Sequence, residues 1–164
     1  MLSERIQRLF TYNRWANKIV LNKVKELSAD QYGAPSRFPK GGVHETLFHL
    51  FYAEWIWRRR CLGQTPVTRI ITIDDYKDLT SLIVAWEIEE KAMQDFLTGL
   101  DDEKLLQTIS YVDGEGVIRQ GVLADFLTHA VLHGMQHRAE IAQMLTEFGH
   151  SPGDLDYLFF SREN

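Results

Sequence analysis

Cysteine is almost absent from this chain of 164 residues, and proline is scarce. The one cysteine, Cys61, excludes an intrachain disulfide and fits a reducing compartment. The N-terminus lacks the apolar core of a signal peptide, and no uncharged apolar stretch approaches the length of a membrane span. We therefore expect a cytoplasmic protein with no membrane-spanning segment.

Excess positive charge is also missing. The sequence has 18 lysines and arginines against 23 aspartates and glutamates, which gives a net charge of -5. This balance does not favour general binding to nucleic acid, because phosphates attract basic surfaces. The short basic run Arg58-Arg59-Arg60 follows an apolar stretch and predicts the end of a helix, where cations suit the dipole. We expect no nucleic-acid partner.

Apolar residues recur at helical spacing in four long segments. We predict helices over residues 3–27, 43–62, 74–99 and 122–148, and a short helical turn at 101–106. Ser3 is the expected cap of the first helix, and Asp74 and Asp75 favour the start of the third. Prolines and paired glycines predict a loop over 32–42, and residues 66–72 form a connector with a β-branched, extended run.

Two β-prone runs flank Asp113-Gly114 between residues 108 and 119, which predicts a hairpin. The sequence shows no internal repeat or second domain, so we treat residues 1–164 as one domain. Four long helices predict an all-α four-helix bundle with long crossover connections, plus a small β-hairpin between helices three and four. The apolar tail from Asp154 is expected to pack on the body or on a second subunit.

Three histidines step by four along the predicted fourth helix: His129, His133 and His137. Imidazoles at i and i+4 project from one face, so His133 and His137 can reach one ion. Each step of four rotates the stripe by roughly 40°, so the outer two histidines differ by roughly 80°. All three cannot face one ion squarely, and a third ligand must come from elsewhere in the chain.

The spacing of this pair also has a plain interpretation, because helical histidines are often ordinary core or surface residues. The zincin metalloprotease pattern places Glu directly after the first histidine, and Gly134 occupies that position here, which excludes a zincin. His44 and His49, both on the second helix, are the candidates for the third ligand. His49 lies inside an apolar run, where a buried imidazole needs a partner, so we favour His49 over His44.

Four stretches carry a family resemblance: residues 12–17 on the first helix, 46–57 on the second, the hairpin around 113–115, and 129–138 with the glycine at 149 and the tail at 152–156. Their order and spacing resemble those of the DinB/YfiT-like proteins, which are metal-binding four-helix bundles. Each stretch is weak alone, but together they span nearly the whole chain. The resemblance therefore implies the same bundle fold over residues 1–164.

The resemblance implies that His49, His133 and His137 bind one divalent metal ion. Three imidazoles suit Zn, Ni, Fe or Co, so the sequence does not distinguish the metal. His129 is then a supporting residue of the pocket or a packed core histidine. The family often has His-Arg-Gly-Gln where this chain has His-Arg-Ala-Glu. Glu140 could accordingly orient a histidine, contact the ion or be solvated.

The resemblance further implies a metal- and thiol-dependent S-transferase, or a related enzyme with an open metal site. Its cosubstrate would be a low-molecular-weight thiol such as bacillithiol or mycothiol, and its other partner a small electrophile. A homodimer is also implied, and no general base can be named. The alternatives are a non-catalytic metal-binding stress-response module and a helical interaction protein that needs no metal.

Overall fold

The computed structural model describes residues 1–66 and 69–163; Val67 and Thr68, within the predicted connector, and Asn164 lie outside the described residues. The long helices are α1 (Leu2–Val24), α3 (Val43–Cys61), α4 (Leu79–Thr98) and α6 (Leu123–Glu147). The short helices are α2 (Ala29–Tyr32), α5 (Asp102–Leu105) and α7 (Tyr157–Glu163), with a 3-10 turn at Ile73–Asp75. Strands β1 (Thr108–Val112) and β2 (Ile118–Val122) lie between α5 and α6.

The bundle and its hairpin confirm the predicted fold class. Strands β1 and β2 are antiparallel, with Val112 opposite Ile118. The Asp113 side chain accepts hydrogen bonds from the backbone N–H of Glu115 and Val117, both at 2.9 Å. Residues 113–117 lie between the paired Val112 and Ile118, so the turn is longer than a two-residue Asp-Gly turn. Within it, Gly116 has a positive φ of 80°.

Helix α1 begins one residue earlier than predicted, and its cap comes from another element. Asp102, at the start of α5, accepts hydrogen bonds from the backbone N–H of Leu2 at 3.1 Å and of Ser3 at 2.8 Å. Ser3 therefore donates to a cap instead of acting as one. The prediction of a Ser3 cap is wrong because the partner is 99 residues away in sequence.

Helix α4 begins later than predicted, at Leu79. Asp78 caps it by accepting a hydrogen bond from the Ser81 backbone N–H at 2.8 Å. Asp75 instead accepts from the Thr72 backbone N–H at 2.8 Å and so stabilises the separate 3-10 turn. The two aspartates that were expected to start the third helix thus belong to the turn before it.

The core lies around α6, which packs against both α1 and α3. Helix α3 buries Leu47, Leu50 and Phe51 inside the chain, so its apolar content is used within one subunit. In the tail, Phe160 is 2% exposed and its ring lies 5.8 Å from those of Tyr12 and Trp15. Of the two packing partners expected for the tail, the body or a second subunit, the structure shows the body for Phe160. Among the described residues, no helix combines the length and the apolarity that crossing a membrane needs.

Candidate metal centre

The structure brings His49 of α3 together with His133 and His137 of α6. One nitrogen from each of the three rings lies within 4.8 Å of the others. The Nε2 atoms of His49 and His133 are 3.4 Å apart. The centre of the His137 ring lies 4.6 Å from the centre of the His49 ring and 4.5 Å from that of the His133 ring. Within residues 1–66 and 69–163, no other group of three histidine, cysteine or carboxylate side chains converges in this way.

The protonation state of His49 and His133 suits a divalent metal ion. Burial lowers the pKa of His49 to about 4 and that of His133 to about 4, and the neighbouring charges of Lys40 and the other histidines act in the same direction. Both imidazoles are therefore neutral at pH 7, which is the form that binds metals. Three converging imidazoles are a donor set typical of Zn and related ions, so the residues present fit the group.

Glu140 forms a hydrogen bond with the third histidine, His137. The Nδ1 of the buried His137 lies 2.7 Å from Oε2 of Glu140. A carboxylate accepts a hydrogen bond from Nδ1–H, which orients the ring and leaves Nε2 as the nitrogen that can bind a metal. Of the roles that sequence reasoning left open for Glu140, the structure shows the one that orients a histidine.

The two remaining candidate histidines lie outside this group. His129 is exposed, with its ring 5.7 Å from that of His133 and edge-on to Trp57 at 4.8 Å, so it is not a packed core histidine. His44 lies elsewhere, with Nε2 at 3.2 Å from the Tyr76 carbonyl oxygen. The rotation that separates His44 from His49 on α3 thus directs them to different partners.

A buried polar network anchors the helix turn that carries His137. Arg138 is 1% exposed, and its Nη1 donates to the side-chain oxygens of Asn13 at 2.5 Å and Asn17 at 2.9 Å. The amide nitrogens of both asparagines donate to Glu54, at 2.7 and 2.9 Å. Trp86 donates its indole N–H to the other Glu54 oxygen at 2.8 Å. The network therefore joins α1, α3, α4 and α6.

Gly134 makes this network possible. A Cβ at this position would lie 2.9 Å from Arg138 Nη1 and 3.0 Å from Asn13 Oδ1. Sequence reasoning used Gly134 only to exclude a zincin and did not identify the network. Two signals were available: Asn13 and Asn17 lie one turn apart on a helix, and Glu54 interrupts an apolar run.

Comparison with known proteins gives the family. The DinB family model matches residues 1–164. This chain belongs to the DinB family. It is 26% identical over 159 residues to Protein DinB of Bacillus subtilis strain 168, a match that covers 92% of this chain and 90% of that protein.

Two solved structures share the DinB fold. One is YfiT from Bacillus subtilis, described as a probable metal-dependent hydrolase with an unusual four-helix bundle topology. It superposes with a TM-score of 0.66 at 16% identity, covering 90% of each chain. The other is a DinB-like protein of the same organism, YjoA, with a TM-score of 0.63 at 17% identity, covering 87% of this chain and 92% of that one.

Proposed function

We propose that this DinB-family protein is an enzyme that binds one divalent metal ion through His49, His133 and His137 and transfers a low-molecular-weight thiol to an electrophile. The observation that carries the proposal is the convergence of three imidazole nitrogens from two helices within 4.8 Å. Three protein ligands leave further positions of a metal ion open to substrate. The resemblance to thiol S-transferases of this family supports the choice of reaction.

The residues of the site provide the surroundings that such a reaction needs. When bound, a divalent ion supplies Lewis acidity, which lowers the pKa of a thiol or a water molecule toward neutrality. Three neutral imidazoles leave the charge of that ion uncompensated, so the site favours an anionic ligand such as a thiolate. Glu140 bonds the His137 ring, and the buried network around Arg138 anchors the helix turn that carries His137.

The thiol has to come from a small molecule. Burial raises the pKa of Cys61, the single thiol of the chain, to about 12, so it remains protonated at neutral pH. Cys61 also lies outside the histidine group. An external thiol is therefore the reagent that fits a conjugation reaction here.

The arrangement of Glu140 favours an enzyme over a non-catalytic metal-binding stress-response module. A module that stores or senses a metal is expected to fill all the ligand positions of its ion. Contact with the ion was one of the roles that the sequence left open for Glu140. Its carboxylate instead bonds the Nδ1 side of His137. In the described part of the chain, no fourth histidine, cysteine or carboxylate joins the three nitrogens.

Hydrolysis is the second candidate, and the description of YfiT as a probable metal-dependent hydrolase supports it. The two candidates share the site and differ in whether a thiol or a water molecule attacks the substrate. Bacillithiol and mycothiol, each with an electrophilic reporter, should be consumed by the metal-loaded protein if S-transfer is right. Cleavage of ester or amide substrates without thiol would indicate the hydrolase, and inactivity of the loaded protein in both screens would favour the binding module.

Metal analysis of protein purified without an affinity tag tests the site itself. We expect about one divalent ion per chain in the wild type and a loss of at least tenfold in His133→Ala. His44→Ala is the matched control, because His44 is a histidine of the same bundle that bonds Tyr76 instead of the triad. Equal metal content in wild type and His133→Ala would rule out the assigned ligands.

A homodimer in the cytoplasm remains part of the proposal. Tyr157, Leu158 and Phe159 of the tail are 38%, 53% and 42% exposed, and such apolar surface is common at subunit contacts. Light scattering coupled to gel filtration should give about twice the chain mass. A monomer at all concentrations would contradict the dimer without affecting the metal site.

A further inference from the structure

Four neighbouring rings form a continuous surface beside the histidine triad. Trp57 of α3 stacks on Phe126 of α6, with the ring centres 5.5 Å apart. The Tyr111 ring of β1 is edge-on to both, with its centre 5.4 Å from that of Trp57 and 5.3 Å from that of Phe126. His129 is edge-on to Trp57 at 4.8 Å. None of the four side chains is fully buried. We term Trp57, Tyr111, Phe126 and His129 the aromatic wall.

The aromatic wall begins where the triad ends. The His129 ring lies 5.7 Å from that of His133, one turn along α6. His129 is exposed, whereas His133 is half-buried. A small molecule that reaches the triad from solvent on this side therefore meets aromatic rings.

Arg60 lies against the same wall. Its guanidinium carbon is 4.6 Å from the centre of the Trp57 ring and 4.7 Å from that of Tyr111. The Nε of Arg60 is buried without a hydrogen-bond partner, while the two terminal nitrogens are not among the buried unpaired atoms. Across residues 1–66 and 69–163, Arg60 makes no side-chain hydrogen bond or ion pair.

The other two arginines of the basic run are engaged differently. Arg58 forms an ion pair with Glu89, with Nη2 at 2.7 Å from a carboxylate oxygen. Arg59 lies over the Trp55 ring at 4.4 Å and donates to the Gln64 side chain at 3.3 Å. Arg60 is thus the member of the run whose in-plane donors have no acceptor in the described part of the chain.

The Trp57 and Tyr111 planes meet at 72°, so the Arg60 guanidinium can lie flat on at most one of these rings. The terminal N–H groups that point away from the two rings stay available. These groups match a carboxylate or a phosphate, which they can bind with two parallel hydrogen bonds. The two rings restrict the Arg60 side chain, so less conformational entropy is lost when an anion binds. The wall itself offers apolar and π surface to the part of a ligand that lies between Arg60 and the triad.

We propose that Arg60 recognises the anionic end, a carboxylate or a phosphate ester, of an elongated substrate that lies along the aromatic wall with its reacting end at the triad. The placement of the reacting end rests on the proposed metal-dependent function. Anion recognition by Arg60 does not depend on the proposed metal-dependent function, because it requires only the contacts of Arg60 with Trp57 and Tyr111. The substrate class is therefore a thiol or an electrophile that carries an apolar or aromatic segment and a terminal anion.

The test is calorimetric titration with matched probes: 4-phenylbutyrate, 4-phenylbutyl phosphate and the neutral 4-phenylbutyramide. The zinc-loaded wild type should bind at least one anionic probe about tenfold or more tightly than the amide, as expected for a charge-assisted hydrogen bond. Arg60→Gln should reduce that preference to near one. Arg59→Gln is the matched control and should keep it, because Arg59 lies on Trp55 and away from the wall.

A carboxylate or phosphate could also bind the metal ion, and chelated wild-type protein separates the two sites. A preference that survives metal removal and is lost in Arg60→Gln supports the proposal. A preference that is lost with the metal and kept in Arg60→Gln overturns it, as does equal binding of anionic and neutral probes by the wild type. Metal content should be the same in Arg60→Gln and wild type, so failure of the metal site is recognised separately.

A second variant covers the case in which Arg60→Gln does not fold, as judged by circular dichroism. Arg60→Lys keeps the charge but loses the planar pair of donors, so the preference for an anion should be reduced several-fold and not abolished. An undiminished preference in Arg60→Lys would contradict recognition by the guanidinium plane.

Discussion

Helix α6 carries two polar surfaces that differ in how their polar groups are partnered. Toward α1, Nη1 of Arg138 donates to Asn13 and Asn17, whose amides in turn bond Glu54, so these donors and acceptors are matched within the chain. The Nε and Nη2 atoms of Arg138 are buried without a hydrogen-bond partner among the described residues. Toward α3, three like side chains gather, and the close contact between His49 and His133 joins two neutral rings of the same kind. Buried polar groups need complementary partners. The matched surface therefore holds the fold, whereas the unmatched one is suited to an external cation.

The largest expected effect comes from breaking the matched surface. Glu54→Ala removes the acceptor of three hydrogen bonds and leaves Arg138 as a buried charge without its counter-ion. Removal of one partner from a buried charge network costs about 3–5 kcal/mol in the free energy of unfolding. Urea denaturation of wild type and Glu54→Ala measures this loss in the free energy of unfolding. Arg119→Ala, which breaks an exposed pair with Asp113, is the control and should cost about 0–1 kcal/mol; similar values for both variants would contradict the comparison.

The next effect concerns the unmatched surface, where Glu140 bonds the candidate ligand His137. Glu140→Ala should weaken metal binding by about 10- to 100-fold, because the His137 ring loses the acceptor that fixes its tautomer. Glu140→Gln should lose less affinity, since its amide oxygen can still accept a hydrogen bond from Nδ1–H of His137. Competition titration with a chromophoric chelator measures both affinities. Unchanged affinity in Glu140→Ala would show that the hydrogen bond does not serve the ion.

Gly134→Ala sharpens the comparison, because Gly134 lies between the two surfaces on α6. The new Cβ would crowd Arg138 and Asn13, and both crowded atoms are held by hydrogen bonds. We expect a net loss of roughly 1–2 kcal/mol, since overpacking exceeds the helix propensity that alanine adds. Gly114→Ala is the control, because nothing lies within 4 Å of its added Cβ. Thermal melts should show a lower Tm for Gly134→Ala alone.

A pH dependence is expected beside the matched surface. Burial raises the pKa of Glu90 to about 7, and the nearby charge of Glu54 acts in the same direction. The folded pKa lies above the unfolded value, so the folded state holds the proton more tightly. Stability from this group is full below about pH 4.5, its unfolded pKa, and is lost as the pH rises through about 7.

Denaturation of wild type and Glu90→Gln at pH 5 and pH 8 measures this contribution. The variant should lose less stability than the wild type between the two pH values, because glutamine does not titrate. Glu87→Gln, at an exposed position on the same helix, should behave like the wild type. Parallel curves for wild type and Glu90→Gln would contradict a raised pKa.

Helical periodicity was sufficient to predict the four long helices and their order, and Asp113-Gly114 to predict the hairpin. The helix starts were predicted less well. Ser3 was expected to be a cap, but Asp102 caps α1 from a distant position in the sequence. Local patterns record which residues can form a helix, but the first turn also depends on partners supplied by other elements.

For the candidate site, too, the sequence predicted what depends on local spacing and missed what depends on contacts between helices. The spacing of His133 and His137 places both imidazoles on one face of any helix that contains them, and an apolar environment already favoured His49 over His44. Metal binding by the three remains a prediction. The roles of Asn13, Asn17 and Glu54 were not predicted, because each is an ordinary polar residue until two helices bring it to Arg138.

The sequence by itself therefore determined the properties that depend on spacing along one chain segment: the helices, the hairpin and the pair of histidines on α6. Only the tertiary structure decided which polar residues meet. It placed Glu140 behind His137 and Arg60 against Trp57 and Tyr111, and it joined Arg138 to Glu54 through two asparagines. The physical reason is range: periodicity acts over one or two helical turns, whereas hydrogen bonds and ring contacts depend on distances that packing between helices sets.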